Sequence, residues 1–292
     1  MIIDGIPNFK TIVREVWKPL VGLVVWDVAV TGFYIVSPFK APSLPLTLFG
    51  SALALFLGFR SNSAYQRWWE GRGLWGSLIN ASRNLARNAV AFLGRNDPRA
   101  RAIILQQIAY VHALRCQLRR QPLDEKVRAF LPDAETTALL ETQNPANSLL
   151  EDIGCRVAAA FKEGSIDTIQ QTHLDAILID IANAQGGMER IKNTPLPNQY
   201  RFMPALFTRL FCLLLPIGLV ETLGYVTPIG STVASLMFLA VFAIGQDLTD
   251  PFANSVHDLP LSAMSRTIEA NLLQSLGEPA PPPLQPEQGI LW

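Results

Sequence analysis

Apolar residues along this chain gather into four blocks, grouped as two pairs with a long polar stretch between them. The first block runs from about Leu20 to Val36 and the second from about Leu44 to Phe59, the third from about Pro204 to Val220 and the fourth from about Val226 to Ile244. Each approaches the ~20 residues a helix needs to cross the hydrocarbon of a bilayer. The second is short for that task unless it continues past Phe59, and the sequence predicts that it does. RSNSAYQRWWEGRGLWGSLINASRNLARNAVAFL carries no proline, and Trp68, Leu74, Trp75, Leu78, Ile79, Leu85 and Val90 recur at helical spacing. Gly71, Gly73 and Gly76 oppose a continuous helix, since each costs about 1 kcal/mol relative to alanine in a helix interior. Either the helix breaks there or the glycines admit a close neighbour.

The polar stretch also reads as helical, with Pro122, Pro132, Pro145, Gly164, Gly186 and Gly187 at plausible helix ends. Basic residues set the orientation. Lys10, Arg14 and Lys18 precede the first span, Arg60, Arg67 and Arg72 follow the second, and Arg201 and Arg209 flank or enter the third. The two short connections carry only Lys40 and Glu221, so the positive-inside rule places both termini and the central stretch in the cytosol. The fold class is an all-α membrane protein, organised as spans one and two over 1–59, a cytosolic helical region over 60–201, spans three and four over 202–245, a cytosolic helical segment over 246–276 and a proline-rich tail over 277–292. That tail, GEPAPPPLQPEQG and beyond, is too poor in apolar residues to pack and is expected to be extended or disordered.

Composition agrees with a membrane protein. Hydrophobic residues make up 49% of the 292 and charged residues only 16%, below the quarter or so usual in soluble domains; mean hydropathy is +0.23. Formal net charge is zero, which argues against nucleic acid as a partner. Cys116, Cys155 and Cys212 are widely spaced and suit neither a disulfide framework nor a zinc site. The opening MIIDGIPNFK lacks the basic n-region of a removable leader.

No catalytic constellation emerges. His112, His173 and His257 are scattered, and no nucleophile-elbow, phosphate-loop or dinucleotide motif is present. No metal or cofactor is expected. The second span is more informative. Gly50, Ala54 and Gly58 recur four apart, a small-residue stripe of the kind that lets membrane helices approach closely. One position further on, Ser51, Leu55 and Phe59 form a second stripe about 100° round the helix. Copies of this helix around an axis would make a narrow apolar neck, and such constrictions gate by dewetting; alternatively Leu55 and Phe59 face lipid or a neighbouring helix. Asp27 lies within the first span, where an ionisable residue is either functional or held by another span.

Three motifs carry a resemblance to a known family. FLGFRSNSAYQRWWEGRGLWG at 56–76, GGMERIKNTPLPNQY at 186–200 and IGQDLTDPF at 244–252 stand in the order and places of the bestrophin signatures, and the similarity is continuous from about Trp26 to Leu276. The resemblance implies a homopentameric ion channel in a bacterial inner membrane, with four transmembrane helices per subunit and one axial pore. It implies that Ser51, Leu55 and Phe59 line the neck. Counting back from GGMER, Ile169 matches the family's cytosolic aperture, although the spacing of Ile166 and Ile169 in GSIDTIQQ also suits two core residues. The implied partners are permeant inorganic ions and membrane lipid. The permeant ion stays open between chloride, as in animal members, and a monovalent cation such as sodium.

Two departures bear on function. Ser51 stands where relatives place a large apolar residue, so the outer neck is expected to be wider and wetter. After Pro251 and Phe252, animal bestrophins carry an acidic run that clasps calcium, whereas this chain reads Ala253, Asn254, Ser255, Val256, His257, Asp258. One aspartate offers little to a hard cation, so calcium gating is not expected. A membrane scaffold or sensor that binds a soluble partner through its cytosolic helices is the alternative class.

Overall fold

The computed structural model describes residues 1, 9–38, 40 and 42–292, with side chains for residue 1 and from residue 16 onward. Residues 2–8 of the opening stretch read for a leader, and the side chains of Lys10 and Arg14, fall outside the described residues. Among the described residues ten α-helices follow in order: α1 Phe9–Val36, α2 Leu46–Leu93, α3 Pro98–Leu118, α4 Glu125–Arg128, α5 Asp133–Leu140, α6 Pro145–Lys162, α7 Thr168–Asn193, α8 Asn198–Leu223, α9 Thr227–Asp247 and α10 Leu261–Ser275. No strand occurs among the described residues; one isolated bridge joins Glu287 and Ile290.

The chain divides into two compact units. One holds residues 4–68 and 195–249, the other residues 1–3, 69–194 and 250–292. In the first, α1, α8 and α9 pack against one another. Val16, Leu23, Cys212 and Leu239 form one apolar cluster, and Leu53, Leu57, Phe211 and Leu215 form a second, where the Phe211 ring meets Phe238 edge-on at 4.9 Å. Val16–Val36 and Asn198–Asp247 are long and apolar enough to cross a membrane, the latter holding both α8 and α9 with a short 3-10 turn between them. Pro204 and Pro216 sit inside α8. Membrane helices tolerate such prolines because neighbours satisfy the freed backbone groups.

In the second unit α3 is central. It packs on α6, α7 and α10 and buries Ile103, Ile104, Ile108 and Leu114 without following a single stripe, as expected for a helix surrounded by protein. Its start is fixed by Asp97, whose carboxylate accepts from the Arg99 N–H, with Pro98 in the first turn.

α2 runs unbroken through all three glycines of its middle. A methyl group on Gly71 would lie 3.0 Å from the Phe252 ring, so this glycine admits a close neighbour. Gly73 has open space around it, and Gly76 faces only Arg72 of its own helix. Past Gly277 the tail carries no helix, as its prolines dictate, and main-chain bonds hold its end: Ala263 N–H donates to Trp292 O (2.7 Å) and Leu291 N–H to Met1 O (2.9 Å). Main-chain pairing supplies the order that its side chains cannot.

Candidate pore surface and the motif contacts around it

The first half of α2 presents two opposite faces. Leu53, Leu57, Arg60 and Ala64, spaced four, three and four apart, are buried. On the other side Leu55 is 62% and Phe59 60% exposed. Ser51 shares their face, with its hydroxyl donating back to Thr47 O at 2.7 Å. The small-residue stripe is only partly used within the subunit. A methyl on Gly50 would come 3.1 Å from Phe211, whereas Gly58 has nothing within reach and Ala54 is exposed.

Ile169 lies on the first turn of α7, whose start is set by a reciprocal cap: Gln170 N–H donates to the Asp167 carboxylate and Asp167 N–H to the Gln170 side chain. This cap separates the two isoleucines. Ile166, just before it, is 4% exposed; Ile169, just after it, is 68% exposed. Asp27 is fully buried, and Thr232 of α9 donates to its Oδ2 at 3.0 Å. The structure therefore gives it a hydroxyl from another span and no salt bridge among the described residues.

The three sequence motifs meet within each unit. In the unit of residues 4–68 and 195–249, Arg60 is buried and donates through Nε to Tyr200 O (2.8 Å) and through Nη1 to Phe242 O (3.1 Å), its guanidinium 4.7 Å from the Phe242 ring. Arg67 donates to Thr249 O at 2.9 Å. Gly245 makes room for this joint, since a methyl there would lie 2.8 Å from Ser61 Oγ and 3.2 Å from Arg60 Nη1. In the other unit, Arg190 pairs with Glu70 and Lys192 with Asp250 (2.7 Å). Glu189 accepts from Gln117, Asn144 and Gln185 at 2.8–3.0 Å. A methyl on Gly187 would strike Leu74 at 2.8 Å. The motif residues thus assemble joints between helices, not a reaction centre.

Sequence reasoning missed one further polar group. His112 of α3 is fully buried, with Nε2 2.9 Å from Glu269 Oε2 on α10, and Arg266 donates to the other Glu269 oxygen at 2.9 Å. Burial holds His112 below the ordinary histidine value despite that bond, and Arg115 and Lys126 nearby act in the same direction. Burial would raise Glu269, but the His112 bond and the surrounding cations leave it below the ordinary glutamate value. The pair is a neutral imidazole beside a carboxylate. Nothing local in YVHALR signals this, because the partner is 157 residues away.

The described residues form an all-helical protein with membrane-length apolar helices, joined by these motif contacts. The bacterial/fungal bestrophin family model matches residues 9–274. A voltage-dependent anion channel-forming protein of Mesorhizobium japonicum is 38% identical over 245 residues, 84% of this chain and 78% of that one. The Escherichia coli K12 protein called voltage-dependent anion channel-forming protein YneE is 37% identical over 230 residues, 79% and 75% of the two chains. A crystal structure of a bacterial bestrophin homologue from Klebsiella pneumoniae superposes with a TM-score of 0.85 at 33% identity, covering 90% of this chain and 99% of the other. The chain belongs to the bestrophin family.

Proposed function

We propose that the chain is a passive ion channel in which five copies surround one axial pore in a bacterial inner membrane, with both termini in the cytosol. Ser51, Leu55 and Phe59 line the neck, and Ile169 forms an apolar aperture at the cytosolic exit. One observation carries this reading: Leu55 and Phe59 are left exposed on the face of α2 directly opposite a buried stripe. The exposure of Ile169 beside a buried Ile166 supports the second constriction. The names of the relatives favour anions as the permeant species. Purified protein in planar bilayers under asymmetric salt tests both conduction and charge selectivity through its reversal potential. Leu55→Ala should raise conductance, because a shorter apolar ring is wider and wets more readily. Unchanged current in an assembled Leu55→Ala channel would remove Leu55 from the axis.

A further inference from the structure

The exposed face of α2 does not end at Phe59. Taking 100° per residue, positions 62, 66, 73, 77, 80, 84 and 87 all fall within about 40° of Leu55. Every one of them is exposed, while Ala64, Gly71, Trp75, Leu78, Ser82, Leu85 and Ala89 keep the opposite side buried to the helix end. Along this face Asn62, Gln66, Ser77, Asn80 and Asn84 offer amides and hydroxyls, interrupted by the exposed Trp69, and the one charged side chain past Phe59 is Arg87. No carboxylate lies on it. Glu70 is about 60° off the face and is occupied by Arg190. Arg83 is about 80° off and donates to Asn271 Oδ1 at 2.7 Å. Arg87 has no ion pair or hydrogen bond among the described residues.

The geometry points to Arg87 as a selectivity-determining residue: five copies of it form a cationic ring on the cytosolic continuation of the pore face, concentrating anions before they reach the neck. This rests on the pore reading of Leu55 and Phe59. Neutral amides and hydroxyls offer donors to anions and acceptors to cations alike, so they smooth passage without choosing a sign. A ring of unpaired guanidinium groups in a confined aqueous space does choose, because like-signed charges there sum their potential.

The test is the reversal potential of the full-length channel in a potassium chloride gradient. Arg87→Glu should lower the chloride-to-potassium permeability ratio by at least about threefold, with Arg87→Gln in between and the exposed Arg128→Gln equal to wild type. An unchanged ratio in Arg87→Glu, with conductance still altered by Leu55→Ala, overturns the role of Arg87 and leaves the pore reading standing. If both variants assemble and neither alters the current, the pore reading itself fails. Should Arg87→Glu not assemble on size exclusion, Asn84→Cys in a Cys155→Ser background answers the same question. Modification by an anionic thiosulfonate reagent should then reduce chloride permeability, and an unchanged ratio after complete modification overturns the proposal.

Discussion

Arg60 and Lys192 are both motif cations that the fold withdraws from water, one in each unit, and they are satisfied in different ways. Arg60 meets two main-chain carbonyls and an aromatic face; Lys192 meets the half-exposed carboxylate of Asp250. The same division holds more widely. Asp27, in the unit with the membrane-length helices, takes a hydroxyl from Thr232, whereas Glu269 in the other unit sits between a histidine and an arginine. Bare dipoles suffice where few charges can be placed, because each extra buried charge is expensive. Opposite charges are paired in the other unit, and at Lys192 the half-exposed Asp250 keeps the cost of pairing small.

The largest effect expected from this contrast is at Arg60. Arg60→Met loses two charge-assisted hydrogen bonds, each worth about 1.5–3 kcal/mol, and should destabilise the protein by about 3–5 kcal/mol, read from denaturant unfolding in detergent. Lys192→Met loses one pair that water partly screens and should cost about 1 kcal/mol. Equal losses would dissolve the distinction. Next come the two isoleucines flanking the α7 cap. Ile166→Ala should cost about 2–5 kcal/mol, while Ile169→Ala should stay within about 0.5 kcal/mol of wild type and instead change relative permeability among ions of different size. A lowered melting temperature with unaltered selectivity in Ile169→Ala would return it to the core.

Smaller effects are expected at the glycines that admit close neighbours. Gly71→Ala presses on a fully buried Phe252 ring and Gly245→Ala on Ser61 and Arg60; each should cost about 1–3 kcal/mol. Gly73→Ala has open space and should be neutral or stabilising, since α2 is helical there. The smallest effect is a pH dependence. His112 and Glu269 both lie below their ordinary values in the folded state, so the unfolded chain takes up each proton first as pH falls. Stability present at neutral pH is therefore lost as pH falls below the ordinary histidine value of 6.5, and further as it falls below the ordinary glutamate value of 4.5. A melting curve should drop by a few degrees across that range, and His112→Gln should flatten the upper part. A flat wild-type profile down to pH 5 would show that this pair does not couple to folding.

How much of this was legible beforehand differs from residue to residue. The exposed face of α2 could be read from the sequence because it is a local period on one helix, and a neck is the use that the resemblance to the family suggests for it. Ile169 could not be separated from Ile166 by spacing alone; the cap at Asp167 and Gln170 decides, and only coordinates show which side of it faces outward. The glycines of α2 posed the right alternatives, but the choice for Gly71 depends on Phe252, far along the chain. In the sequence Arg60 reads as a basic residue near a membrane end and as part of the motif at 56–76. Its carbonyl partners carry no side-chain signature, so no pattern of residue types could have revealed them.

That last property reaches into how such a protein can drift. Every amino acid brings a carbonyl, so no substitution at 200, 242 or 249 can delete the acceptors that Arg60 and Arg67 use. Only these acceptors are indifferent to the side chain; the Phe242 ring over Arg60 and the space left by Gly245 are not. Covariation between aligned positions, which finds contacts by their paired changes, would therefore pass over these contacts in silence.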